Sequence, residues 1–207
     1  MTKLKITYFD FDGGRGEPAR LALYMGGIAF DDRRIAGKDW PAHRDQMPFQ
    51  AMPTLEVDGM LFTQSNSINR YVGKLAGLYP SDTLQAFRCD EAMDAAEDIS
   101  TRIANTMELA DEAKKKARED LVAGRLTRFL ERFQAMLASA GGEYFADHRP
   151  TVADLKLFML TRWLRSGALD HIPKDLVDRV APALVKHFER ISALPKVAEY
   201  YARRKAA

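Results

Sequence analysis

Three places along the chain bring together groups that can handle a polar ligand. Tyr8 stands late in an alternating segment, Lys3 to Phe9, just before a loop that runs from Phe9 to Gly14. An aromatic residue in a central strand is ordinarily core. A phenol beside a bound thiol, however, can donate to its thiolate and lower the thiol pKa from about 8.5 toward neutrality. Met52-Pro53 stands at the entrance of a hairpin made by "TLEV" and "MLFT" over Asp58-Gly59. Proline cannot donate a ladder hydrogen bond there. It either caps an edge strand in trans or, through a cis bond, aims the backbone of Met52 outward, where it can hold an extended peptide. Gln64-Ser65 opens the next helix, where Ser65 can act as an N-cap and the unpaired first-turn N–H groups can hold a carboxylate.

The chain has a single cysteine, Cys89. That excludes an intrachain disulfide framework, a Cys-x-x-Cys redox motif and a multi-cysteine zinc site, and it fits a reducing compartment. Thiolate chemistry here therefore needs a sulfur brought by a ligand. With 31 basic and 29 acidic residues and a formal charge of +2, the balance gives no nucleic-acid footprint. Lys114-Lys115-Lys116 with Arg118 reads as a solvated helix face. The N-terminus "MTKLKITYF" lacks the pattern of a signal peptide, and no apolar run approaches the roughly 18 residues of a membrane span. The expectation is a soluble, cytoplasmic protein.

These residues are carried by two halves with different periodicities. Lys3 to Phe9 alternates as a strand, "RGEPARLALYMGG" reads as a helix with Pro18 in its first turn, and "AFDDRRI" reads as a second, parallel strand. The antiparallel hairpin and a helix from Ser65 to about Gly77 complete a βαβ-ββα order. That order is a thioredoxin-type scaffold without its own redox cysteines. From Asp82 every periodic segment has helical spacing. Leu84, Phe87, Ala92, Ala96, Ile99, Ile103 and Met107 mark a long helix, and Leu121, Leu126, Phe129, Phe133 and Leu137 a second. "TVADLKLFMLTRWL" is apolar on nearly all sides and reads as the buried central helix, with further helices near 178–192 and 196–203. The predicted division is an α/β domain over 1–79 and an all-α domain over 82–207.

Together "YF", "GRGEPARL", Trp40 with Arg44, "MPTLEVDG", "QSNSINRY" and "TVADL" resemble the cytosolic glutathione transferases, most closely the sigma-like class. The resemblance covers essentially the whole chain. It implies a homodimer that conjugates the glutathione thiolate to hydrophobic electrophiles, with no metal or redox cofactor. By the same resemblance Tyr8 is the catalytic tyrosine that hydrogen-bonds the glutathione sulfur. Met52 pairs through its backbone with the cysteinyl part, and Pro53 is the family's cis-proline. Gln64 and Ser65 hold the γ-glutamyl end, Arg15 matches an arginine near that pocket, and Trp40 and Arg44 bind the glycyl carboxylate. Asp98 reaches across the dimer toward the partner's glutathione. Without the resemblance, Trp40 reads as a loop anchor, and Arg44 and Asp98 as solvated. Thr151 and Asp154 match a capping box and belong to folding.

Two departures from the family pattern bear on affinity. Ala51 replaces a residue that often contacts the glycyl region. The loop "FDFDGG" is one residue longer than usual and puts Asp10 and Asp12 near the expected mouth, where they would disfavour anionic co-substrates. The electrophile site is expected from 11–14, the 102–106 face of the long helix and the C-terminal segment. Two further activities stay open: glutathione-dependent isomerisation of the prostaglandin D synthase type, and a non-catalytic, crystallin-like or ligand-carrying role. Phe49 reads either as a dimer contact or as a residue packed within its own subunit.

Overall fold

The computed structural model describes residues 2–206, with side chains as far as Arg204. The alternating N-terminal segment forms β1 (Leu4–Phe9), whose residues Leu4, Ile6, Thr7 and Tyr8 are all buried, so both faces of the strand are covered. It is the central strand for that reason. β2 (Asp31–Ile35) pairs with it in parallel, and β3 (Thr54–Val57) in antiparallel, from Leu4 opposite Val57 to Thr7 opposite Thr54. β4 (Met60–Phe62) completes the sheet in the order β2-β1-β3-β4. The hairpin turns on Asp58 and Gly59 at φ 48° and 88°, the paired left-handed geometry that Asp-Gly favours.

α1 (Glu17–Met25) crosses from β1 to β2, with Pro18 in its first turn, where a missing N–H costs nothing. A run of short helical turns that includes α2 (Trp40–His43) leads to β3. α3 (Ser65–Leu75) then packs on α1. The expected βαβ-ββα scaffold is the one observed.

The helical part comprises α4 (Thr83–Ala104), α5 (Asp111–Ala123), α6 (Arg125–Ser139), α7 (Val152–Arg165), α8 (Leu176–Val180), α9 (Pro182–Ser192) and α10 (Pro195–Ala206). The buried stripe of α4 runs through Cys89, Ala92, Met93, Ala96, Ile99 and Ile103, whereas Leu84, Phe87 and Met107 are exposed. The single second helix expected from the periodicity is two. Gly124, at φ −130° and ψ −95°, breaks α5 from α6. Pro182 likewise separates α8 from α9, because its ring cannot continue a helix.

α7 is buried from Val152 to Thr161, as its apolar composition predicts. The cation in this stretch, Lys156, is paired with Glu97 of α4. Arg118 departs from the expected solvated face. It is 1% exposed, and donates through Nε to Thr106 Oγ1 at 2.8 Å and through Nη1 to the Asp170 carbonyl at 2.9 Å.

The helical unit extends from Pro80 to Leu194, and α10 groups with the first unit. Aromatic packing accounts for that grouping: Tyr200 of α10 meets Tyr24 of α1 edge-to-face, with ring centroids 5.2 Å apart.

The start of α7 carries a polar anchor of the helical unit. The Asp154 carboxylate is fully buried and accepts from Thr151 N at 2.8 Å, Thr151 Oγ1 at 2.7 Å, Phe145 N at 3.0 Å and His187 Nε2 at 2.9 Å. Asp154→Ala leaves these donors without that acceptor and is expected to lower the unfolding free energy by about 3 kcal/mol or more, measured by chemical denaturation.

Candidate functional site

The centre of the α/β unit is the phenol of Tyr8, 5% exposed at the end of β1. The chain passes over its ring at Gly14 and Gly16. A Cβ on Gly14 would lie 2.5 Å from Tyr8 Oη, and one on Gly16 2.4 Å from Tyr8 Cγ. No side chain fits at either place, and Gly14 is in addition left-handed, at φ 68°. The close approach lets the backbone N–H of Arg15 donate to Tyr8 Oη at 3.0 Å. An amide donor on a phenol oxygen strengthens that group's own power to donate, because hydrogen bonds in series polarise one another. The guanidinium carbon of Arg20 lies 5.6 Å from the ring centroid.

Tyr8 also shares an apolar cluster with Ile35, Met47 and Met52, against which Phe9 and Trp40 pack. Met52-Pro53 is cis and lies just beyond the last β1–β3 pair, Thr7 with Thr54. Trp40 meets Phe9 edge-to-face at 5.5 Å, so the anchor reading from sequence describes its packing. Arg44, one turn further on, is exposed.

At the head of α3, the N-cap position is taken by Gln64 rather than by Ser65. Gln64 has φ 71° and ψ 108° and makes no side-chain cap bond. Ser65 is the first helical residue and is 8% exposed, so it stands inside the helix and not at its cap. Unusual backbone of the kind seen at Gln64 gathers at binding sites. Asp98 lies exposed on α4, in the helical unit.

Sequence reasoning missed the charged frame behind Tyr8. Arg20, fully buried, donates to Asp32 Oδ1 at 2.8 Å, to Glu17 Oε2 at 3.2 Å, and to the carbonyls of Phe9 and Phe11, each at 3.3 Å. Glu17 is also fully buried, and burial raises its carboxyl above the usual range despite the opposing Arg20 charge. Asp10 and Asp12 are both paired with arginines, although Asp10 is exposed. Asp12 Oδ1 lies 3.2 Å from Arg34 Nη1 and 2.9 Å from Arg204 Nε, and Asp10 Oδ1 lies 3.7 Å from each of these two side chains. The local signal for this frame is the Glu-x-x-Arg spacing of 17 and 20, which puts both residues on one helix face. Arg204 has no such signal.

A phenol that accepts from a backbone amide, on a four-stranded thioredoxin-like scaffold followed by a helical unit, fits the class of proteins that handle a thiol ligand. Comparison with known proteins agrees with that class. The Glutathione S-transferase N-terminal domain family matches residues 4–74, and the Glutathione S-transferase C-terminal domain family residues 97–204. Glutathione S-transferase 1 of Ascaris suum is 32% identical over 99% of this chain and 98% of its own. The hematopoietic prostaglandin D synthase of Gallus gallus is 29% identical over 99% and 98%. Among solved structures, prostaglandin synthase D of Nilaparvata lugens superposes with a TM-score of 0.86, at 30% identity over 98% of both chains. The chain belongs to the glutathione S-transferase family and is a glutathione transferase.

The glycine cradle gives a direct check. Gly14→Ala forces a Cβ toward the phenol from a left-handed backbone, and is expected to lower the unfolding free energy by about 1–3 kcal/mol, read by chemical denaturation. Gly37→Ala is the comparison variant, since a Cβ there meets no atom of the described residues within 4 Å. Its effect is expected to stay within about 0.5 kcal/mol.

Proposed function

We propose that in this transferase Tyr8 stabilises the glutathione thiolate that attacks hydrophobic electrophiles. The observation that carries the reading is the Arg15 N–H bond to Tyr8 Oη at 3.0 Å, beside the apolar cluster that includes Met52. In this reading the Tyr8 hydroxyl donates to the sulfur and draws its pKa from about 8.5 toward neutrality, so that the thiolate is present at working pH. The backbone of Met52, next to Pro53, aligns the cysteinyl part of the tripeptide. Gln64, Ser65 and the head of α3 take the γ-glutamyl carboxylate together with Arg15, and Trp40 and Arg44 take the glycyl end.

The same proposal includes a homodimer. Phe49 is 79% exposed at φ 57°, and the edge strand β4 exposes Met60, Leu61 and Phe62. An apolar edge strand of this kind calls for cover, and a second copy supplies it. Asp98 would then serve the partner's glutathione. A cytoplasmic detoxifying role fits a chain whose lone cysteine, Cys89, is buried, with a thiol that burial pushes up to about 12.

A second reading, glutathione-dependent isomerisation, is favoured by the relatives from Gallus gallus and Nilaparvata lugens, which are named as prostaglandin synthases. Product analysis with an endoperoxide separates it from conjugation to an aryl halide.

Tyr8→Phe is expected to reduce turnover by about 10-fold or more and to move the pH profile of conjugation upward. An unchanged profile and turnover would remove Tyr8 from the mechanism. Phe49→Ala is expected to weaken self-association by about 10-fold, read by sedimentation at several concentrations.

A further inference from the structure

The loop from Asp10 to Gly14 joins Tyr8 to the amide that polarises it, and two glycines make its backbone loose. Its charged side chains are Asp10 and Asp12. Within the α/β unit, the groups facing them are Glu17 and Arg20 of α1, Asp32 and Arg34 of β2, and Tyr200 and Arg204 of α10. Arg34 reaches Asp12 through Nη1 at 3.2 Å but is shared, since its Nε donates to Asp32 at 2.7 Å and its Nη2 to Tyr200 Oη at 3.2 Å. Arg20 is spent on Glu17, Asp32 and two carbonyls. Arg20 and Arg34 are thus divided among four carboxylates, and Arg204 supplies a third cation, with its Nε 2.9 Å from Asp12 Oδ1 and its Nη2 3.7 Å from Asp10 Oδ1.

We infer that Arg204 is a positioning residue for Tyr8: by holding Asp12, it fixes the loop that keeps the Arg15 N–H on the phenol oxygen. The inference rests on the reading of Tyr8 as the thiolate-stabilising group. The last helix of the chain is thereby part of the machinery although it contributes nothing to the sheet. Arg204 side-chain exposure is 32% and that of Asp12 27%, so the pair is partly screened and its effect on the phenol is modest.

The test is the ionisation of Tyr8, followed by ultraviolet difference titration of the protein against its Tyr8→Phe variant. Arg204→Met and Asp12→Asn are both expected to raise the midpoint by about half a unit, because each frees the loop and weakens the amide bond to the phenolate. Through charge alone they would act oppositely, since one removes a cation and the other an anion. Arg204→Lys should stay near the parent value, and the double variant should go no further than the larger single one. Shifts in opposite directions, or a fixed midpoint beside a lowered melting temperature, would overturn the inference. The titration needs neither glutathione nor turnover. A protein that shows the shift while Tyr8→Phe leaves conjugation unchanged keeps this inference as a statement about Tyr8 geometry and loses the thiolate-stabilising reading.

Discussion

The approach of the backbone at Gly14 to Gly16 onto the Tyr8 ring is the constraint on which the site depends. It is a steric condition first, since no Cβ fits at 2.4–2.5 Å from the ring and its oxygen. It becomes an electrostatic one at once, because only a chain this close can deliver the Arg15 N–H to the phenol. The central position of β1, the start of α1 and the length of the loop between them all serve that single contact.

A loop of this kind does not hold itself in place. Its carbonyls are gathered by Arg20 and its carboxylates by Arg34 and Arg204. Burying Arg20 with Glu17 and Asp32 costs desolvation, which the direct hydrogen bonds offset. The helical unit solves a similar problem differently, with one buried carboxylate, Asp154, gathering the donors of three separate segments. In both units a shared charged group joins parts of the chain that lie far apart in sequence.

Much of this was legible in sequence. The alternation of 3–9, the Asp58-Gly59 turn and the apolar run at 152–164 carry local periodicities, and they give the strands, hairpin and central helix observed. Leu84 and Phe87 fit the helical period of α4 yet are exposed, because period identifies a helix but not every residue that finds cover. Arg118 reads as part of a solvated face and is buried, since its partners, Thr106 and Asp170, lie 12 and 52 residues away.

By itself the sequence determined the element order, which follows from local spacing, and pointed to the family and the residue types at the site through the resemblance of short motifs spread along the chain. The tertiary structure alone decided that Arg15 meets Tyr8 through its backbone, that Gln64 and not Ser65 takes the N-cap position, and that the last helix packs with the sheet unit. It also decided that Asp10 and Asp12 are paired with arginines, one of which lies 192 residues beyond Asp12. Such pairings depend on distance in space, and no local pattern encodes them.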